Sequence, residues 1–161
     1  PYSIGRFLEI VKKLRRVSPA MRLSTDAIVG FPGETDEDFN RTKEAFVKSG
    51  FEMGYIFKYS ERSGTPATQL ENKVPKATKE KRNQELLALL ESQSFASNQK
   101  LQGHSMEILV EGAARKGEGK LMGRTRCYRK VIFEGTGNLI GSLVDVRIKD
   151  VSSSILKANK I

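Results

Sequence analysis

The stretch Gly30-Phe31-Pro32-Gly33-Glu34 follows the apolar run Ala27-Ile28-Val29 and precedes Thr35-Asp36-Glu37-Asp38. An apolar run of that kind suits a strand buried on both faces, and a turn at its carboxyl end is where α/β folds place ligands. The two glycines permit close approach of a ligand to the backbone. A phosphate loop is disfavoured, because the Lys-Ser/Thr ending is missing and three carboxylates in the next helical turn repel phosphate. An uncharged base or a cationic ligand fits better. The competing reading is a tight strand-to-helix connection that needs glycine for dihedral reasons alone. Arg62, in Tyr59-Ser60-Glu61-Arg62-Ser63-Gly64, follows a second predicted strand and belongs to the same rim, either as part of a site or as a solvated loop arginine.

A second constellation is ionic. Between Arg115 and Lys130 stand Arg115, Lys116, Lys120, Arg124, Arg126, Arg129 and Lys130, with Glu118 as the only acid and Tyr128 among them. Such a basic β-ribbon suits RNA phosphates, with an aromatic ring for stacking an unpaired base. The alternative is a solvated strand face. His104 and Cys127 are lone residues, so no Ser/His/Asp or Cys/His nucleophile set exists, no catalytic residue is assigned, and no thiolate cage for a metal can be built from this chain. One cysteine also excludes an internal disulfide and points to reducing cytosol.

These residues need elements to position them. Phe7, Ile10, Val11, Leu14 and Val17 recur at helical spacing up to Ser18-Pro19. Leu23 to Val29 reads as a strand, Thr35 as the N-cap of a helix stopped at Gly50, and Phe51 to Tyr59 as a second strand. A loop follows from Ser60 to Val74, and a long polar helix with Leu86, Leu87 and Leu90 runs from Pro75 to Leu101. Alternating helices and strands predict a parallel sheet, but two strands are too few to close a barrel. Beyond Gly103 four or five short strands (Met106 to Val110, Lys120 to Thr125, Tyr128 to Phe133, Leu143 to Ile148) predict a small β-barrel. The chain thus divides into residues 1–103 and 104–161. Residues 104–161 hold 11 Lys/Arg and 6 Asp/Glu (net +5), and residues 1–103 hold 17 and 13 (net +4). A total of +9 over 161 residues makes a polyanion the first partner to consider. No apolar run approaches the roughly 20 residues of a membrane span, and Pro1 suggests a soluble piece of something longer.

The block Leu23 to Thr35, together with Phe57-Lys58-Tyr59-Ser60-Glu61-Arg62-Ser63-Gly64-Thr65-Pro66-Ala67, closely resembles the radical SAM methylthiotransferases. Leu109 to Gly112, Leu121 to Thr125 and Leu139 to Val146 resemble the TRAM domain of those enzymes. The similarity is greatest to the tRNA-modifying branch, of MiaB type, in which Ser-Thr-Asp precedes the Ile-Val-Gly-Phe-Pro-Gly-Glu block, as at Ser24, Thr25 and Asp26. The resemblance implies an α/β fold: the C-terminal portion of a radical SAM (β/α) barrel, then a small all-β, OB-like TRAM barrel. It implies S-adenosylmethionine as cofactor and two 4Fe-4S clusters held by cysteines outside this chain, so that the isolated chain is inactive. The reaction implied is methylthio addition to C2 of N6-isopentenyladenosine next to the anticodon, in the cytoplasm, with tRNA's anticodon stem-loop as partner. Gly30, Phe31, Pro32, Gly33 and Glu34 would then lie against the adenosine of the cofactor, Asp26 near the cofactor or substrate base, and Tyr59 on the adenine side. Lys116, Lys120, Arg124, Arg126, Arg129 and Lys130 would hold RNA. A ribosomal-protein methylthiotransferase and a stand-alone RNA-binding protein remain the alternatives.

Overall fold

A computed structural model describes residues 3–161. The chain divides into two compact units, one ending at Gln93 and the other spanning Ser94–Ile161. That division falls earlier than the 103/104 boundary read from the sequence.

In the first unit α1 (Ile4–Val17) is opened by Ser3, whose hydroxyl accepts from the Arg6 amide. Strand β1 (Ser24–Val29) pairs in parallel with β2 (Met53–Lys58), Asp26 opposite Tyr55 and Ile28 opposite Phe57. Between them α2 (Asp36–Ser49) starts with a reciprocal capping box of Thr35 and Asp38 and stops at Gly50 in the left-handed region, φ 62°. A 3₁₀ turn (Pro66–Gln69) leads to α3 (Lys76–Gln99). The core is Val29, Phe39, Phe46, Phe51, Leu86 and Leu90, with Ala27 and Ile56 packed on it. Burial alternates along β1. Thr25, Ala27 and Val29 turn to the helices, and Ser24, Asp26 and Ile28 turn away. Burial of Ala27-Ile28-Val29 on both faces is therefore not what the chain shows, since Ile28 is 59% exposed.

The second unit is a closed barrel of β3 (Ser105–Ala113), β4 (Lys120–Thr125), β5 (Lys130–Glu134), β6 (Leu143–Val151) and β7 (Leu156–Lys160), in the order β3-β4-β5-β7-β6. Every pair is antiparallel except β5 with β7. This is the five-stranded architecture of OB-type barrels. Ile108, Val110, Leu121, Val131, Phe133, Val146, Ile148 and Leu156 fill its interior. The end of α3 belongs to this unit: Ser94 Oγ donates to Ser153 O at 2.6 Å and Asn98 Nδ2 to Ser152 O at 2.8 Å.

Candidate cofactor-facing rim and nucleic-acid interface

The turn after β1 and the segment after β2 do meet. Tyr59 N donates to Val29 O at 2.8 Å, and the Tyr59 ring meets Phe31 edge-on at 5.1 Å between centroids. Gly30 and Gly33 have φ of 73° and 87°, so the turn requires residues free to enter that region. The two differ in surroundings. A Cβ on Gly30 would fall 2.1 Å from Lys79 Cγ, so that glycine's free space is filled by α3. Around Gly33 a Cβ would meet nothing within 4 Å. Gly33 N donates to Asn72 O at 3.0 Å, which ties the turn to the loop before α3.

Glu34 has an internal role. Its Oε2 accepts from Gly30 N at 2.6 Å and from Arg82 Nη1 at 2.7 Å, with only 12% of the side chain exposed. Arg82 also donates through Nη1 to Glu34 O and through Nη2 to Asp36 Oδ1. Burial works against the Arg82 charge, but hydrogen bonds to Asp36 and Glu34 outweigh it and hold its pKa above the ordinary guanidinium value. The Arg82 hydrogen bond and charge in turn hold the Asp36 carboxyl below the usual range. Pro32 is buried within the turn. Gly30, Pro32 and Glu34 thus build the turn, while Phe31, 43% exposed, and Gly33 present it. Tyr59 Oη is buried and has no hydrogen-bond partner among the described residues. Lys79 donates to Tyr59 O at 3.1 Å. Arg62 is exposed, and its carbonyl accepts from Thr65.

The sheet face turned away from the helices carries Asp26, Ile28, Tyr55 and Phe57. The two aromatic rings lie nearly parallel, 6.2 Å apart, and are 66% and 53% exposed. A parallel sheet with one such face bare is unusual, because crossover helices or further strands normally cover both. At its other edge β1 borders a cleft of about 500 Å³ that reaches Thr25, Asp26 and Ala27 and is walled by α1 and α2.

The barrel sorts the seven basic residues of the ribbon. Alternation on β4 and β5 turns Leu121, Gly123, Thr125, Val131 and Phe133 inward. Lys120, Arg124 and Lys130 share the outer face, Arg124 directly across from Lys130. Lys116 is exposed in the β3–β4 loop. Arg124 Nε lies 3.5 Å from Glu111, and its guanidinium sits 4.1 Å from the Tyr128 ring centroid. Arg126 pairs with Glu107 at 3.1 Å yet is 87% exposed. Arg129 departs from the sequence-based reading. It is 7% exposed, with Nε donating to Asn98 at 3.0 Å and Nη2 to Ser97 at 2.9 Å, so its charge serves the fold and not a phosphate. The sequence reading also missed Lys79 and Arg82. Their signal was spacing: Lys79, Arg82, Asn83, Leu86 and Leu90 follow one helical stripe.

The TRAM domain model matches residues 99–161. The tRNA-2-methylthio-N(6)-dimethylallyladenosine synthase of Opitutus terrae is 49% identical over 156 residues, which cover 97% of this chain and 32% of that protein. The enzyme of that name from Bordetella avium is 44% identical (97% of this chain, 33% of that protein). That from Desulfitobacterium hafniense is 41% identical (94% and 34%). The chain spans about a third of the length of these curated relatives. The chain thus carries a TRAM domain over residues 99–161 and is similar, along nearly its whole length, to about a third of each of these tRNA-2-methylthio-N(6)-dimethylallyladenosine synthases.

Proposed function

We propose that the chain is the C-terminal portion of a tRNA methylthiotransferase, in which residues 1–103 close one side of a radical SAM barrel and residues 104–161 grip tRNA in the cytoplasm. The observation that carries this reading is the pairing of two incomplete surfaces. A two-stranded parallel sheet bares Asp26, Ile28, Tyr55 and Phe57 on one side, as strands of a larger barrel would. An OB-type barrel carries Lys120, Arg124 and Lys130 on the β4–β5 face, the face such barrels use for oligonucleotides.

Phe31, Gly33 and Tyr59 fit the adenosine side of S-adenosylmethionine. Gly33 leaves room beside the backbone, Phe31 offers a ring face, and the Tyr59 hydroxyl lacks a partner among the described residues. Asp26 stands across from Tyr55 on the bare face, where a base held inside the barrel would meet it. A bound S-adenosylmethionine would supply radical chemistry directed at C2 of the target adenosine of the tRNA. The clusters themselves do not fit this chain, since each needs three thiolates and the sequence has one cysteine. Their ligands lie outside it.

On the barrel Lys116, Lys120, Arg124, Arg126 and Lys130 position the anticodon stem-loop through its phosphates, which fixes register without reading sequence. The target base is then presented extruded. The reading is tested by mass spectrometry of tRNA from cells lacking the parent gene, complemented with the parent carrying or lacking residues 104–161. Absence of the 2-methylthio group both without the parent and with the parent lacking the barrel supports it. Full modification without the barrel refutes the gripping role.

A further inference from the structure

The β4–β5 hairpin places an exposed aromatic residue at a backbone outlier. Tyr128 sits at φ 64°, where a bulky side chain is strained. Among the described residues the other non-glycine in that region is Asn72, a type that tolerates it. The turn is of the three-residue kind, with Tyr128 N donating to Thr125 O at 2.8 Å and Thr125 N to Arg129 O at 3.0 Å. Its last position normally takes glycine or asparagine. The surroundings enforce the conformation: Arg129 N donates to the buried Thr125 hydroxyl at 3.1 Å, and the Arg129 guanidinium is anchored on Asn98 and Ser97. The ring is not buried by this arrangement, being 57% exposed. Arg124 lies over it at 4.1 Å and is itself held by Glu111.

A strained backbone over-determined by its neighbours, presenting an aromatic ring to solvent beside Lys130 and Arg126, is the pattern of a functional platform. We infer that Tyr128, backed by Arg124, is a stacking platform for one unpaired nucleobase of the bound RNA, so that the barrel distinguishes looped from fully paired RNA. The inference rests on the RNA-gripping role proposed above and adds to it a subsite that reads a base's π-face. Stacking is tolerant of base identity, and the Arg guanidinium behind the ring adds a cation–π component. A paired duplex keeps its bases inside the stack and gives the ring nothing to meet.

The test uses the full 161-residue chain, fluorescence anisotropy, and two RNA probes of equal length: a stem-loop with an unpaired loop and a blunt duplex. Tyr128→Asn is expected to weaken stem-loop binding about tenfold, within the range for removing one stacked base, and to leave duplex binding and both salt slopes unchanged. Its Tm should rise, because asparagine relieves the left-handed strain. Tyr128→Phe should keep the wild-type preference. A wild-type chain that binds stem-loop and duplex equally, a Tyr128→Asn variant with the wild-type preference, or one with a lowered Tm overturns the inference and leaves the gripping role standing. A wild-type chain that binds neither RNA overturns both.

Discussion

Replacing Lys116, Lys120 and Lys130 together with alanine removes three exposed cations from the β4–β5 side of the barrel without touching its interior. All three are exposed, and among the described residues none of them stands in an ion pair, whereas Arg124 and Arg126 are matched to Glu111 and Glu107. Their charges are therefore the least committed within the protein and the most readily turned to displacing counterions from RNA. Each phosphate neutralised contributes about 0.7 to the slope of log affinity against log salt for single strands and about 0.9 for duplex. Removing three lysine–phosphate pairings therefore flattens the slope by about 2 to 2.7. Between about 50 and 200 mM salt the wild type should then lose about 20- to 40-fold more affinity than the variant. Fluorescence anisotropy of a labelled anticodon stem-loop over that range gives both slopes, and a thermal melt checks that the barrel is intact. Equal slopes at unchanged stability would mean that the lysines face solvent in the complex, and the β4–β5 face would not be the interface.

Arg129→Ala should act in the opposite manner, lowering barrel stability by about 2–3 kcal/mol through removal of charged hydrogen bonds to Asn98 and Ser97, with the salt slope unchanged. Denaturant unfolding read together with the same binding curves would separate the two effects. Gly33→Ala introduces strain of about 1–2 kcal/mol at φ 87° but no clash inside the chain. In the parent protein it should weaken S-adenosylmethionine binding in calorimetry; unchanged affinity would assign the glycine to turn geometry alone. The carboxyls of Asp36, Asp38 and Asp150 are held below their ordinary 3.8, chiefly by hydrogen bonds with Arg82, Thr35 and Lys157 respectively. Folded values below unfolded ones stabilise the native state fully above the unfolded pKa, and that contribution fades as pH falls through the folded values. Tm should therefore hold down to about pH 5 and drop below about pH 4, less steeply in Asp36→Asn; a Tm insensitive to acid would contradict it.

What the sequence determined was what neighbours along the chain decide. Thr35 caps α2 through the amide of Asp38, three residues on, and Gly50 ends α2 through its own dihedral freedom. Both were readable for that reason. The alternation of β4 and β5 and the charge of the ribbon were readable too, as was the Gly30–Glu34 turn as the connection from β1 to α2. Tertiary structure decided what depends on partners far along the chain. The barrel closes through parallel pairing of β5 with β7, which no local period announces. Arg82 becomes a buried anchor because Glu34 and Asp36, nearly fifty residues earlier, supply its counter-charges. Arg129 differs from Lys130 in role because Asn98 accepts from it across 31 positions, while its neighbour points outward. Charge and periodicity follow from residue type and spacing. Which charge is desolvated and paired follows from what folding brings against it, and desolvation is the term that separates a structural cation from one that can meet a phosphate.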